Sequence, residues 1–215
     1  MAVTGTPITI VGCGPGAPEY VTPAAFRAAM EADVLVGAER LLELFPESKA
    51  ERIPLTSGLA EVLDRIAALL PDKKVAVLVT GDPGLFSLSK LVIARFGREF
   101  CEVIPGISSV QVAFARLGLE WSDAVIISAH KQDPQVDPEE LCRSPKIAIF
   151  CGREEVLPWI ATLVQGAQAA DHTVFVMEDL TLATERVVQV ATADLPSVHA
   201  GPRTIVVLVR KHLLL

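Results

Sequence analysis

Val75-Ala76-Val77-Leu78-Val79-Thr80-Gly81-Asp82-Pro83-Gly84-Leu85-Phe86-Ser87 is the stretch on which the fold turns. Its first residues form an unbroken apolar run, as expected of a strand buried on both faces of a parallel sheet. Gly81 to Gly84 break that run, and a helix is predicted from Leu85 to Phe96. A strand that turns through Gly-Asp-Pro-Gly into a helix places free backbone amides and a carboxylate at the carboxyl edge of a sheet. Open α/β sheets bind their ligands at that edge. Two further turns share the pattern: Gly12-Cys13-Gly14-Pro15-Gly16 after the strand Ile8 to Val11, and Pro105-Gly106-Ile107-Ser108-Ser109 after the strand Cys101 to Ile104. Together they predict one shared ligand cleft.

Outward from these turns, Thr22-Pro23 reads as a helix start, with Thr22 as N-cap, running to Ala32. A strand is predicted over Val34 to Val36 and a short helix from Ala38 to Phe45. Leu59, Val62, Leu63, Ile66, Leu69 and Leu70 have helical spacing, and Pro71-Asp72 ends that helix. A further helix is predicted from Ser108 to Leu117. Residues 1–117 therefore alternate strand and helix, which argues for a parallel sheet covered by helices. Gly118 to Asp123 reads as a linker. Strands are predicted beyond it at Val125 to Ser128, Ile147 to Phe150, Val174 to Met177 and Thr204 to Val209. A polar loop is predicted over Gln132 to Pro138 and a helix over Glu154 to Gln165. Alternation in Glu185 to Val190 predicts a strand with one wet face. The fold class is α/β with two domains, 1–117 on a mostly parallel sheet and 118–215 on a mixed sheet, with a hinge near residue 118.

The chain has 215 residues and is 51% hydrophobic, enough for one large core or two small ones. No apolar run is long enough to span a bilayer. Residues 1–7 show neither the basic start nor the apolar stretch of a signal peptide, so a cytoplasmic protein is expected. The cysteines at 13, 101, 142 and 151 form no C-x-x-C pair and have no histidine at zinc spacing, so no metal site is expected. Unpaired thiols fit a reducing compartment. A net charge of −7, the lack of a basic stripe and an aromatic content of 5% argue against a nucleic-acid partner.

The first glycine turn invites a dinucleotide reading, but the spacing is G-x-G-x-G and the next helix starts only at Thr22. Val36-Gly37-Ala38 stands where an acidic residue would hold a ribose. Each turn also has a plainer reading. Glycines supply positive φ in the first, Asp82 can bond its own backbone in the second, and Ser108-Ser109 can cap a helix. Their joint occurrence after successive strands favours a site. His130 and the Glu178-Asp179 pair read as solvated loop positions. No Ser/His/Asp spacing suggests a triad.

Val11-Gly12-Cys13-Gly14-Pro15-Gly16-Ala17-Pro18-Glu19 with Thr22, Thr80-Gly81-Asp82-Pro83, and Pro105-Gly106-Ile107-Ser108-Ser109 resemble the three signature segments of the tetrapyrrole methyltransferases. Val110-Gln111, Ala113, Ala115-Arg116-Leu117-Gly118-Leu119, Trp121, Asp123-Ala124 and Ser128-Ala129-His130 are similar to the branch that methylates C5 of a precorrin or cobalt-precorrin in cobalamin biosynthesis. The resemblance runs from Ile8 to about Val209. It implies S-adenosylmethionine as methyl donor, in a cleft between two α/β domains. By position it implies donor contacts at Pro15, Thr80, Gly81, Asp82, Leu85, Ser108 and Ser109, and from the second domain at Cys151 and Leu180. The ring substrate is expected over Gly12, Gly14 and Gly16, with His130 nearby and some of Arg116, Lys131, Arg153 and Arg186 holding its carboxylates. No catalytic side chain is assigned. His130-Lys131-Gln132 departs from the His-Gly-Arg often found in the C5 branch. A homodimer is implied. With no C15-methylating domain in the chain, a separate C15-methyltransferase/decarboxylase is expected as partner. The alternatives are a member of the superfamily acting on a protein or RNA, a NAD-binding enzyme, and a tetrapyrrole carrier that does not bind the donor.

Overall fold

The computed structural model describes residues 7–56, 58–70, 72–153, 155–166 and 171–215. Residues 1–6, on which the leader reading rests, and Pro71 and Glu154, at the ends of two predicted helices, lie outside the described residues. The chain forms two units, one up to Ser108 and one from Ser109.

The first unit contains β1 (Ile8–Gly12), α1 (Pro23–Met30), β2 (Val34–Gly37), α2 (Glu39–Leu42), β3 (Glu51–Pro54), α3 (Leu59–Leu69), β4 (Val75–Val79), α4 (Ser89–Phe96) and β5 (Cys101–Ile104). Its sheet is parallel throughout, in the order β3-β2-β4-β1-β5. Every residue of β4 is buried. Val75, Val77 and Val79 enter one core cluster with Ile66 and Val92, while Ala76 and Leu78 enter another with Leu35 and Phe45. The pleat thus feeds two cores, one on each face, and leaves no position for a polar side chain. α1 starts as its sequence predicts, with Ala25 N donating to Thr22 Oγ1 at 3.1 Å.

Two elements depart from the reading. β3 was not predicted: in Glu51-Arg52-Ile53-Pro54 only Ile53 is buried, which suits an edge strand and leaves no run to detect. α4 starts at Ser89 and not at Leu85. The Ser87 hydroxyl donates to Pro83 O at 2.9 Å and accepts from Ser89 N at 3.0 Å, and the Ser89 hydroxyl also donates to Pro83 O. These side-chain bonds compete with the first helical turn and hold Leu85 to Leu88 as loop.

The second unit contains α5 (Ser109–Leu117), β6 (Val125–Ser128), α6 (Pro138–Leu141), β7 (Lys146–Phe150), α7 (Val156–Gly166), β8 (His172–Glu178), β9 (Arg186–Val190) and β10 (Thr204–Arg210). Its mixed sheet has the order β6-β7-β10-β8-β9, with β6 and β7 parallel and the other pairs antiparallel. α5 packs against β10, so the division falls at Ser108/Ser109 and not near residue 118. The predicted linker is tied down. Lys146, 3% exposed, donates from Nζ to Glu120 O at 2.8 Å and pairs with Asp123. α6 falls where a polar loop was predicted to end, and Asp137 caps it by accepting from Glu139 N at 2.9 Å. β9 does not have one wet face: Arg186 to Gln189 are all exposed, because it is an edge strand pairing with β8. Among the described residues no helix is long and apolar enough to cross a membrane.

Candidate functional site

The three turns predicted to share a cleft leave the carboxyl ends of adjacent strands β4, β1 and β5. They are stitched together by backbone. Cys13 N donates to Val79 O at 2.9 Å, extending the β1–β4 ladder by one residue. Gly14 and Gly81 then form an isolated bridge, Gly81 N to Gly14 O at 2.8 Å and Gly14 N to Gly81 O at 3.3 Å. Both take φ near the left-handed region, 75° and 67°, which glycine enters without a Cβ penalty. Asp82 joins the second turn to the third. Its Oδ1 accepts from Gly84 N at 2.7 Å and its Oδ2 from Gly106 N at 3.1 Å. Gly12 and Gly106 touch so closely that a Cβ on Gly12 would lie 2.6 Å from Gly106 N.

This geometry corrects one expectation. The amides of Gly14, Gly81, Gly84 and Gly106 are not free for a ligand, because the turns bind one another with them. The junction is a fixed platform of backbone, not an anion cradle. It also disfavours the dinucleotide reading: a 3₁₀ turn over Pro18–Tyr20 separates Gly16 from α1.

Of the predicted donor contacts, Pro15 is buried in the first turn, Gly81 and Asp82 form the junction, and Ser108 is buried behind it. A Cβ on Gly81 would lie 3.8 Å from Ser108 Cα. Ser109 is the first residue of α5. Leu85 is half-buried, with its N donating to Asp82 O at 3.2 Å. Thr80 is exposed, and its hydroxyl accepts from Arg40 Nη2 at 2.5 Å. Cys13, enclosed in the first turn, donates its thiol to Val11 O, and burial pushes that thiol up to about 12. It stays protonated at neutral pH and is no nucleophile.

The remaining predicted donor contacts, and His130, lie in the second unit. Cys151 follows β7. Its thiol is buried and pushed up to about 12, its N donates to Thr204 O at 3.0 Å, and its carbonyl meets His130 Nδ1 at 3.2 Å. The His130 ring fills the space that a Cβ on Gly152 would need. Leu180, also buried, sits between Asp179 and Thr181, two non-glycine residues with positive φ of 50° and 77°. Such backbone persists only where the surroundings fix it. Here Arg203 Nε donates to Asp179 Oδ1 at 2.6 Å, Thr184 Oγ1 to Asp179 Oδ2 at 2.8 Å, and Thr181 N to Glu185 Oε2 at 2.6 Å. Arg116 grips Glu185 with two bonds of 2.5 and 3.0 Å. A cavity of about 260 Å³ lies beside this loop, lined by Glu178, Asp179, Arg186, His199 and Arg203 among others. Glu178 and Asp179 are therefore not merely solvated, as predicted: each is ion-paired, to Arg186 and Arg203. Of the cations expected to hold ring carboxylates, Arg116, Arg153 and Arg186 each pair with a carboxylate of their own unit, Glu185, Asp133 and Glu178.

The Arg203 and Arg116 hydrogen bonds hold the Asp179 and Glu185 carboxyls below their usual range. A folded-state pKa that is depressed adds stability above the unfolded value, and that stability drains as pH falls through the folded value. We expect these pairs to contribute fully above about pH 5 and to weaken progressively below about pH 4. Glu185→Gln should melt earlier at pH 7 and lose less on acidification. Parallel melting curves for variant and wild type across that range would remove this role.

Sequence reasoning missed two residues at the first unit's junction. Phe86 is 58% exposed with φ 48°, a strained and exposed aromatic beside the Gly81–Gly84 turn. It was hidden inside a helix predicted to start too early. Arg40 comes from α2, and only the β2–β4 pairing brings it near Thr80.

The sequence profile of the Tetrapyrrole (Corrin/Porphyrin) Methylases matches residues 7–196. The chain is 34% identical over 185 residues to the cobalt-precorrin-7 C(5)-methyltransferase of Salmonella typhimurium, covering 84% of this chain and 88% of that protein. It is equally similar to the probable cobalt-precorrin-7 C(5)-methyltransferase of Methanocaldococcus jannaschii, at 34% identity over 84% of this chain and 87% of the relative. Among solved structures, the precorrin-6Y methylase of Archaeoglobus fulgidus superposes with a TM-score of 0.71 at 25% identity, covering 96% of this chain and all of that one. A cobalt precorrin-4 methyltransferase superposes with a TM-score of 0.82 at 21% identity, over 94% of each chain, a likeness of fold. With the signature turns joined at one sheet edge and the profile matched over most of its length, the chain belongs to the tetrapyrrole methylase family.

Proposed function

We propose that this methyltransferase carries the methyl group of S-adenosylmethionine to C5 of a precorrin or cobalt-precorrin ring. One observation carries the reading: three turns resembling the family's signatures meet in backbone contact, in a chain similar over most of its length to C5-methyltransferases. The junction offers the donor a fixed backbone surface, because at Gly12, Gly14 and Gly106 neighbouring atoms of the chain fill the space a side chain would need. Pro15, Thr80, Gly81, Asp82, Leu85 and Ser108 are the proposed donor contacts in the first unit, with Ser109, Cys151 and Leu180 proposed from the second. Gly12, Gly14, Gly16 and His130 are proposed to face the ring. Cobalt, where the ring carries it, belongs to the substrate.

When bound, the sulfonium supplies an electrophilic methyl group. The ring carbon forms a bond to that methyl as the carbon–sulfur bond breaks, and sulfur keeps the electron pair. The chain's own task is alignment and exclusion of water, which can contribute about 7–11 kcal/mol. Bonds between the turns fix the platform before the reactants arrive, so little ordering remains for the reactive complex. A protonated Cys13 suits this direct transfer, because it offers no competing acceptor for the methyl group.

A homodimer, a separate C15-methylating partner and a reducing compartment such as the cytoplasm belong to the same reading. Exposed Val187 and Val188 on β9 and Trp121 offer apolar surface for a second copy, which sedimentation would detect.

Calorimetric titration with S-adenosylhomocysteine, with NADH as control, tests the donor. Saturable micromolar binding of the first alone is expected, followed by mass-spectrometric detection of one added methyl on a C5-unmethylated ring. No binding, or preference for NADH, would overturn the reading.

A further inference from the structure

We propose that Arg40 takes a side-chain carboxylate of the ring substrate and sets the affinity for the acceptor. The proposal rests on the functional reading above, because it needs a polycarboxylate ring. α2 opens directly after β2, at the same carboxyl edge that carries the signature turns. Leu41 and Leu42 are buried in the core with Leu35, Phe45 and Leu78, so α2 is anchored from beneath. Glu39 and Arg40 remain exposed. Arg40 reaches across from the end of β2 to the end of β4, where its Nη2 donates to Thr80 Oγ1 at 2.5 Å. Its charge is also felt by the Cys13 thiol in the first turn. The guanidinium therefore lies at Thr80, the residue before the Gly14–Gly81 bridge that joins the first and second turns.

Chemistry and charge point to the acceptor. A guanidinium is a planar fork of N–H donors that matches a carboxylate. The bridge beside it is made of glycines 14 and 81, which carry no side chain, so nearby recognition comes from side chains at its rim. The protein carries a net charge of −7, which repels a polyanionic ring at long range. A local cation at the junction offsets that repulsion where the ring has to settle. Sequence spacing gives no sign of this role, since Arg40 and Thr80 lie forty positions apart.

The test measures ring-methylation kinetics and S-adenosylhomocysteine affinity for wild type, Arg40→Gln and Arg40→Lys. Arg40→Gln should raise KM for the ring about 10- to 100-fold, the loss expected for one charged hydrogen-bonded contact. Its kcat and its affinity for S-adenosylhomocysteine should stay within about twofold, since the uniform loss of ground-state and transition-state binding appears in KM. Arg40→Lys should recover part of the loss. Salt screens the long-range repulsion as well as the Arg40 contact, so between about 50 and about 300 mM salt KM for the ring should fall further in Arg40→Gln, which keeps only the repulsion, than in wild type. An unchanged KM in Arg40→Gln overturns the proposal, as does a loss of S-adenosylhomocysteine affinity with ring KM intact, which would assign Arg40 to the donor. Should Arg40→Gln fail to fold, an Arg40→Lys KM equal to wild type in both size and salt response overturns it instead. A wild-type protein that binds S-adenosylhomocysteine and leaves the ring unmethylated overturns the functional reading and this proposal with it.

Discussion

Gly106→Ala is expected to abolish binding of S-adenosylhomocysteine and to destabilise the protein by roughly 4 kcal/mol or more, at the extreme of single-substitution effects. A Cβ at this position would lie 2.8 Å from both the carbonyl carbon and the oxygen of Gly12, and closer still to the Gly81 carbonyl oxygen. None of these atoms is the far end of a flexible side chain. Gly12 ends β1, and Gly81 is held by its bridge to Gly14. Relief would require β1, the second turn and the third to separate, breaking the bridge and the Asp82–Gly106 bond together. Overpacking of this kind costs more where backbone must move than where a side chain can rotate. Gly58→Ala is the control, because nothing lies within 4 Å of a Cβ there. As the N-cap of α3 it should remain within about 1 kcal/mol of wild type, far from the loss expected at Gly106. Urea denaturation and calorimetry on both variants decide the matter. Gly106→Ala with wild-type stability and affinity would mean that the turns do not meet as described.

The parts of this molecule that were legible in its sequence are those whose cause is local. β4 follows from five consecutive apolar residues, because burial on both faces leaves the pleat no polar position. α1 follows from Thr22 and Pro23, because a cap and a fixed φ act within one turn. β3 was illegible because an edge strand with one buried residue writes no period. The start of α4 was misplaced because serine hydroxyls, which weaken only the first turn, do not interrupt the apolar spacing that follows. At the site, the positions of the glycine turns could be read, but not how they are joined. The Gly14–Gly81 bridge and the Asp82–Gly106 bond link residues far apart in sequence. That is why amides expected to be free proved to be spent. Glu178-Asp179 misled for the same reason. Adjacent acids look solvated until β9 and the approach to β10 bring Arg186 and Arg203 to them.

Asp82→Ala should keep the fold, lower stability by about 1–3 kcal/mol and weaken S-adenosylhomocysteine binding by about 10- to 100-fold. The carboxylate holds two amides at once, Gly84 N within its own turn and Gly106 N in the next. Alanine removes both acceptors and leaves the Gly106 amide without its carboxylate in a half-buried junction. An uncompensated donor of this kind costs more than the bond it formed. Asp82→Asn separates the two tasks. Asparagine forms the same side-chain turn as aspartate, so it keeps the Gly84 bond through its oxygen. Its amide nitrogen would then face the Gly106 N–H, donor against donor, and the tie between the second and third turns would be lost. If Asp82 serves only to shape its own turn, Asp82→Asn will bind S-adenosylhomocysteine like wild type. If the tie to Gly106 holds the platform together, the asparagine variant will lose most of what alanine loses, although its own turn remains intact.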